Sequence, residues 1–133
     1  MEKIKWDDSL SVNNSIIDSQ HKELFELTNE LILNCKSDIN SPLVGETLRD
    51  LLKYAKKHFK EEEKLLKELD YPKLEEHKKM HIDFIFKVAM FSKDVMDGKS
   101  STAEEMIKFL VDWVVNHTSN ADQDYKNYIT KVA

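Results

Sequence analysis

Apolar positions recur in alternating steps of three and four residues along four stretches of this 133-residue chain, the spacing of one-sided helices. The first stripe runs His21, Phe25, Thr28, Ile32 and Cys35, flanked by Leu24 and Leu31. The second runs Leu48, Leu51, Ala55, His58, Glu62, Leu65 and Leu69. The third is Leu74, His77, His81, Phe84, Val88, Phe91 and Val95, and the fourth Ala103, Met106, Leu110, Trp113 and His117. Punctuation places the helix ends. Ser41-Pro42 is an N-cap followed by proline at the first helical position. Asp70-Tyr71-Pro72 is a turn, and Asp97-Gly98 closes a helix. Ser15-Ile16-Ile17-Asp18 and Ser101-Thr102-Ala103-Glu104 have capping-box spacing. These marks predict helices over 15–36, 42–69, 73–97 and 101–117, after an N-terminal arm and before a short helical tail. Short loops between such helices predict an all-α, up-down-up-down antiparallel four-helix bundle, with residues 1–133 as one domain.

Composition narrows the picture. Two glycines and two prolines in 133 residues leave too few turn-formers for a sandwich, a barrel or a glycine-rich phosphate loop. The net charge is −5, and its basic residues are interspersed with acidic ones, as in Lys60-Glu61-Glu62-Glu63-Lys64. That mixing belongs to solvated helix faces rather than a nucleic-acid groove, and Glu61 and Glu63 are expected to be solvated. The lone Cys35 cannot form an internal disulfide and suits a reducing cytoplasm. No apolar leader opens the chain, and no run is long enough to span a membrane.

The chemistry lies in the stripes. All five histidines, and Glu62 with them, fall on core-facing positions. Burying such groups without partners is costly, so a cation is expected to compensate them. His58 and Glu62 are four residues apart, as are His77 and His81, so each pair leans to one side of its helix. His117 and Asp122 are five apart and would diverge on a regular helix. A break at Thr118-Ser119-Asn120, poor helix-interior residues, would return Asp122 to the centre. The donor set His21, His58, Glu62, His77, His81, His117 and Asp122 is too large for one tetrahedral zinc and lacks thiolate. It suits two iron or manganese ions. If both carboxylates bridge two octahedral ions beside an oxo or hydroxo group, all coordination places but one are filled. One small molecule can bind there.

Taken in order, the motifs resemble those of the hemerythrins, specifically single-domain bacterial ones. They are Ile17-Asp18-Ser19-Gln20-His21, His58-Phe59-Lys60-Glu61-Glu62 with Tyr71-Pro72, and His77-Lys78-Lys79-Met80-His81. Trp113-Val114-Val115-Asn116-His117 and Asp122-Gln123-Asp124-Tyr125 follow, and Trp6 matches an arm tryptophan common in the family. The resemblance implies a non-haem di-iron cofactor, two irons per chain, and reversible O2 binding for storage, delivery or sensing. It assigns His77, His81 and His117 to one iron, His21 and His58 to the other, and Glu62 and Asp122 to the bridges. Phe25, Phe59, Trp113, Val114 and Thr118 are expected to line the O2 pocket. Thr118 departs from the Ile or Leu common there, and Asn120 from a frequent Gly, which points to a shorter-lived oxygenated form. A cytoplasmic monomer without catalytic residues is expected. The alternatives are a di-iron enzyme acting on peroxide or nitric oxide, and an iron-handling or repair protein.

Overall fold

The computed structural model describes residues 3–38, 41–98 and 103–132. A 3-10 turn at Asp8–Leu10 precedes α1 (Ser15–Ser37), α2 (Pro42–Glu68), α3 (Leu74–Met96) and α4 (Ala103–Asn116). A π-helical turn, His117–Ala121, then leads directly into α5 (Asp122–Val132). The chain therefore stays helical from α4 to α5, and the four helical rods form the expected bundle. No strand occurs among the described residues.

Local chemistry sets most ends where the punctuation placed them. The Ser41 hydroxyl accepts from the Leu43 amide, with Pro42 opening α2. Gly98 sits at φ 77 after α3, in the left-handed region that glycine tolerates best. Asp70, at φ 54, reverses the chain between α2 and α3, where the Tyr71 amide donates to the Leu66 carbonyl. One end differs. Asn14, not Ser15, caps α1, accepting from the Ile16 and Ile17 amides. Asp18 turns outward from the helix to accept from the Ser11 hydroxyl at 2.5 Å and the Val12 amide at 2.8 Å, tying down the arm. The Ser101-Thr102 capping box lies outside the described residues.

The interior is layered. A large apolar cluster, including Leu31, Leu48, Leu51, Phe84, Val88 and Leu110, fills one end. Val12, Ile17, Leu66, Tyr71 and Tyr125 fill the other. Leu66 takes the inward place predicted for Leu65, and Val114 is more deeply buried than Trp113. The arm closes over α1 through Ile4, which exchanges two hydrogen bonds with the Asn29 amide group. Trp6 packs on Phe25 at 5.7 Å. α3 packs more closely on α2 than on α4. A groove of about 750 Å³, lined by Phe91, Phe109 and Trp113 among others, opens along that looser side.

Candidate metal centre

Between the two apolar clusters lies a buried polar layer. His21, His58, His77, His81, His117, Glu62 and Asp122 are each at most 8% exposed. The four-residue spacings place their pairs as predicted. The five-residue spacing is handled differently: there is no break. In the π-helical turn the Asp122 amide donates to the His117 carbonyl, so residues five apart come onto one face. The Thr118 hydroxyl covers the Val114 carbonyl at 2.8 Å and the Ser119 hydroxyl that of Val115 at 2.5 Å. The residues that disfavour a regular helix thus supply hydroxyls for carbonyls the widened turn would otherwise leave short of partners.

Each carboxylate divides its oxygens between two groups of histidines. Glu62 Oε1 lies 2.8 Å from His77 Nε2 and 3.1 Å from His81 Nε2. Its Oε2 lies 3.1 Å from His21 Nε2 and 3.3 Å from His58 Nε2. Asp122 Oδ1 lies 3.1 Å from His117 Nε2 and 3.2 Å from His77 Nε2, whereas Oδ2 faces His21 at 3.2 Å. Three imidazoles therefore gather on one side and two on the other. Glu62 with His77, His81 and His117, and Glu62 with His21 and His58, form two clusters able to hold a metal ion.

The groups converge without fully satisfying one another: His77 and His21 hydrogen-bond to Glu62, but Asp122 is left over. Both Asp122 oxygens are buried with no aligned hydrogen bond, despite three imidazole nitrogens within 3.2 Å, and so is His21 Nδ1. The Nε2 atoms of His81 and His117 meet at 3.2 Å. Ligating atoms crowded this closely, with both Asp122 oxygens unpaired, suit cations between them. The site's electrostatics agree. Burial pushes the Glu62 carboxyl up, but His58, His21 and His77 outweigh it and hold it well below the usual range. Burial and Glu62 likewise raise Asp122, yet His117 and His77 bring it down to about 2. Burial lowers His77, but Asp122 and Glu62 raise it to about 9. Burial prevails at His117, which is lowered.

A further set of partners holds the rings, and sequence reasoning missed it. His81 Nδ1 donates to Glu63 Oε2 at 2.7 Å, and His58 Nδ1 donates to Gln20 Oε1 at 2.7 Å. Gln20 Nε2 in turn donates to Glu61. Glu61 and Glu63 are thus engaged with the histidine network, which corrects their reading as merely solvated. With Nδ1 of these two rings donating, Nε2 is left as the ligating atom. The buried Tyr125 hydroxyl donates to Glu62 Oε2 at 2.9 Å. Its place one turn after Asp122 was the available signal; nothing in the spacing marked Gln20 or Glu63. Phe59 stacks on His81 at 3.8 Å and Trp113 on His117 at 4.3 Å, fixing both ring planes.

A small cavity of about 10 Å³ lies against both histidines of the smaller group, with His117 and Asp122 also on its wall. His21, His58, Phe59, Trp113, Val114 and Thr118 help to line it, as do Leu24 and Phe84, which were not foreseen. Phe25 does not line it; its ring packs on Trp6 in the apolar core instead.

Fold and site define a helical-bundle protein with a buried histidine–carboxylate centre built for cations. The hemerythrin HHE cation-binding domain matches residues 12–129, and the chain belongs to that family. A myohemerythrin of Theromyzon tessulatum is 36% identical over 126 residues, covering 94% of this chain and 92% of that protein. A bacteriohemerythrin of Clostridium acetobutylicum is 33% identical, covering 90% of this chain and 96% of the other. The crystal structure of a wild-type hemerythrin superposes with a TM-score of 0.85 at 27% identity, over 95% of this chain and 97% of that one.

Proposed function

We propose that this protein binds O2 reversibly at a non-haem di-iron centre. His77, His81 and His117 would hold one iron, His21 and His58 the other, and Glu62 and Asp122 would bridge them. The observation that carries the reading is the division of both carboxylates between three imidazoles and two. The small cavity is lined by both histidines of the smaller group and by only one of the larger, and one small molecule could bind there. Iron held by these residues would supply the redox chemistry that reversible O2 binding needs.

The chain's own residues prepare that chemistry. Glu63 and Gln20 orient His81 and His58. Tyr125 keeps its proton, since burial and the adjoining Glu62 hold its hydroxyl well above the usual range, and it steadies the Glu62 carboxylate. Leu24, Phe59, Phe84 and Val114 give the cavity apolar walls that exclude water. Binding is favoured over turnover because, among the described residues, only the site histidines and Asp122 bring an acid or base to the cavity wall. The Thr118 hydroxyl donates its proton to a backbone carbonyl.

Residues 1–133 would act as one domain in the cytoplasm, with O2 as ligand. Among the described residues no helix is long and apolar enough to cross a membrane. Burial pushes the Cys35 thiol up to about 11, which disfavours the reactive thiolate.

The test is a metal assay with optical spectra of the reduced protein as air is admitted and removed. Two irons per chain and a charge-transfer band that comes and goes are expected. One zinc, or no change in colour, would overturn the reading. Sustained peroxide or nitric oxide reduction with an electron donor would make the protein an enzyme, and ready loss of iron to a chelator an iron-handling protein.

A further inference from the structure

α3 is apolar on two opposite faces. Its inner stripe, with His77, His81, Phe84, Val88 and Phe91, is buried in the bundle. A second stripe in the same three-four rhythm runs Glu75, Lys79, Ile82, Phe86, Met90 and Lys93, half a turn away around the helix. Its three central side chains are bare: Ile82 is 63% exposed, Phe86 66% and Met90 50%. Large apolar groups aligned over successive turns mark an interaction surface, unlike single exposed ones.

The ends of this stripe say what fits it. It begins with an acid, Glu75, and ends with a base, Lys93, around an apolar middle. Such a face complements a copy of itself running the opposite way. One register satisfies every position: when Ile82 of one copy meets Phe86 of the other, Glu75 of each falls opposite Lys93 of the other. Lys79 then lies beside Met90, where its aliphatic stem can cover the thioether side chain. We infer, in place of the monomer expected from the sequence, that α3 docks antiparallel on α3 of a second copy, about a two-fold axis between Ile82 and Phe86.

Apolar contact provides the affinity. The two symmetry-related charge pairs set direction and register, because exposed ion pairs contribute little energy. Glu75 already lies 3.7 Å from Lys78 and can exchange that exposed contact for the new one. One helix face per copy is a small interface, so the dimer is weak and forms reversibly. Because His77 and His81 lie on the inner face of the same helix, docking sets the two buried centres back to back across the pair.

Sedimentation of the full-length, metal-loaded chain over a roughly hundredfold range of concentration tests this. A shift from monomer to dimer is expected. Phe86→Glu should weaken association at least about tenfold. Glu75→Lys and Lys93→Glu should each weaken it about three- to tenfold, and the two combined should restore it. Helical content and metal content, measured alongside, should not change, since all three positions are exposed and away from the centre. Three results would each overturn the inference: a monomer throughout, whether or not it binds neutral lipid vesicles through this stripe, a dimer indifferent to Phe86→Glu, or a double reversal that restores nothing.

Discussion

Leu48, Leu51 and Ala55, then His58 and Glu62, follow one another along one face of α2, and none is more than 2% exposed. The first three meet Phe84, Val88 and Leu110 in the large apolar cluster. The last two meet three more imidazoles, those of His21, His77 and His81. Equal burial therefore has two different physical outcomes in adjoining turns of one helix. The apolar half is complete as it stands, since dispersion and loss of water contact stabilise it whatever else binds. The polar layer keeps buried oxygens without aligned donors and depends on what is placed between them.

Glu62→Ala should break this contrast most severely. Glu62 touches both histidine groups, so its loss should reduce the proposed two irons per chain to near none, checked by metal assay. The stabilisation of the loaded over the stripped form, read as a difference in Tm, should vanish with it. Leu48→Ala should do the reverse. It should cost about 2–5 kcal/mol in denaturant unfolding, equally in loaded and stripped protein, with metal content unchanged.

pH should separate the layers next. His77 is raised from 6.5 to about 9, so its stabilising charge is fully present below about pH 6.5 and lost as pH rises through about 9. The stripped protein should lose roughly 1–3 kcal/mol over that interval in thermal melts. The loaded protein should not, because the metal occupies the place of the proton.

Glu63→Gln should weaken metal binding about 10–100-fold in a chelator competition, by removing the anion behind His81. Retained affinity would return Glu63 to the status of a surface residue. Thr118→Val should have the smallest effect, slowing decay of the oxygenated spectrum roughly two- to tenfold by drying the cavity wall. Faster decay would refute that role.

Much of this was legible along the chain. The three-four stripes gave four rods, and Ser41, Pro42, Asp70 and Gly98 marked ends that the structure keeps. The stripes also carried the histidines and Glu62 inward, since burial on a helix follows from periodicity alone. Slips came where a second element decides. Leu65 gave way to Leu66 because a regular helix drifts against a fixed stripe. Asn14 took the cap from Ser15 because Asp18 was drawn away by the arm.

Residue order along the chain sets the inventory and its facing: four amphipathic helices, five imidazoles and two carboxylates, with all but Asp122 placed inward by spacing. Tertiary structure decided how those groups meet. The π-helical turn, rather than a break, brought Asp122 back to His117. Only the packing of α2 against α1 and α3 could show that Gln20 and Glu63 hold the rings and that Glu62 divides its oxygens between them. Spacing within a helix is a one-dimensional property that the chain carries. The approach of atoms from different helices depends on how whole surfaces pack, and no single segment encodes it.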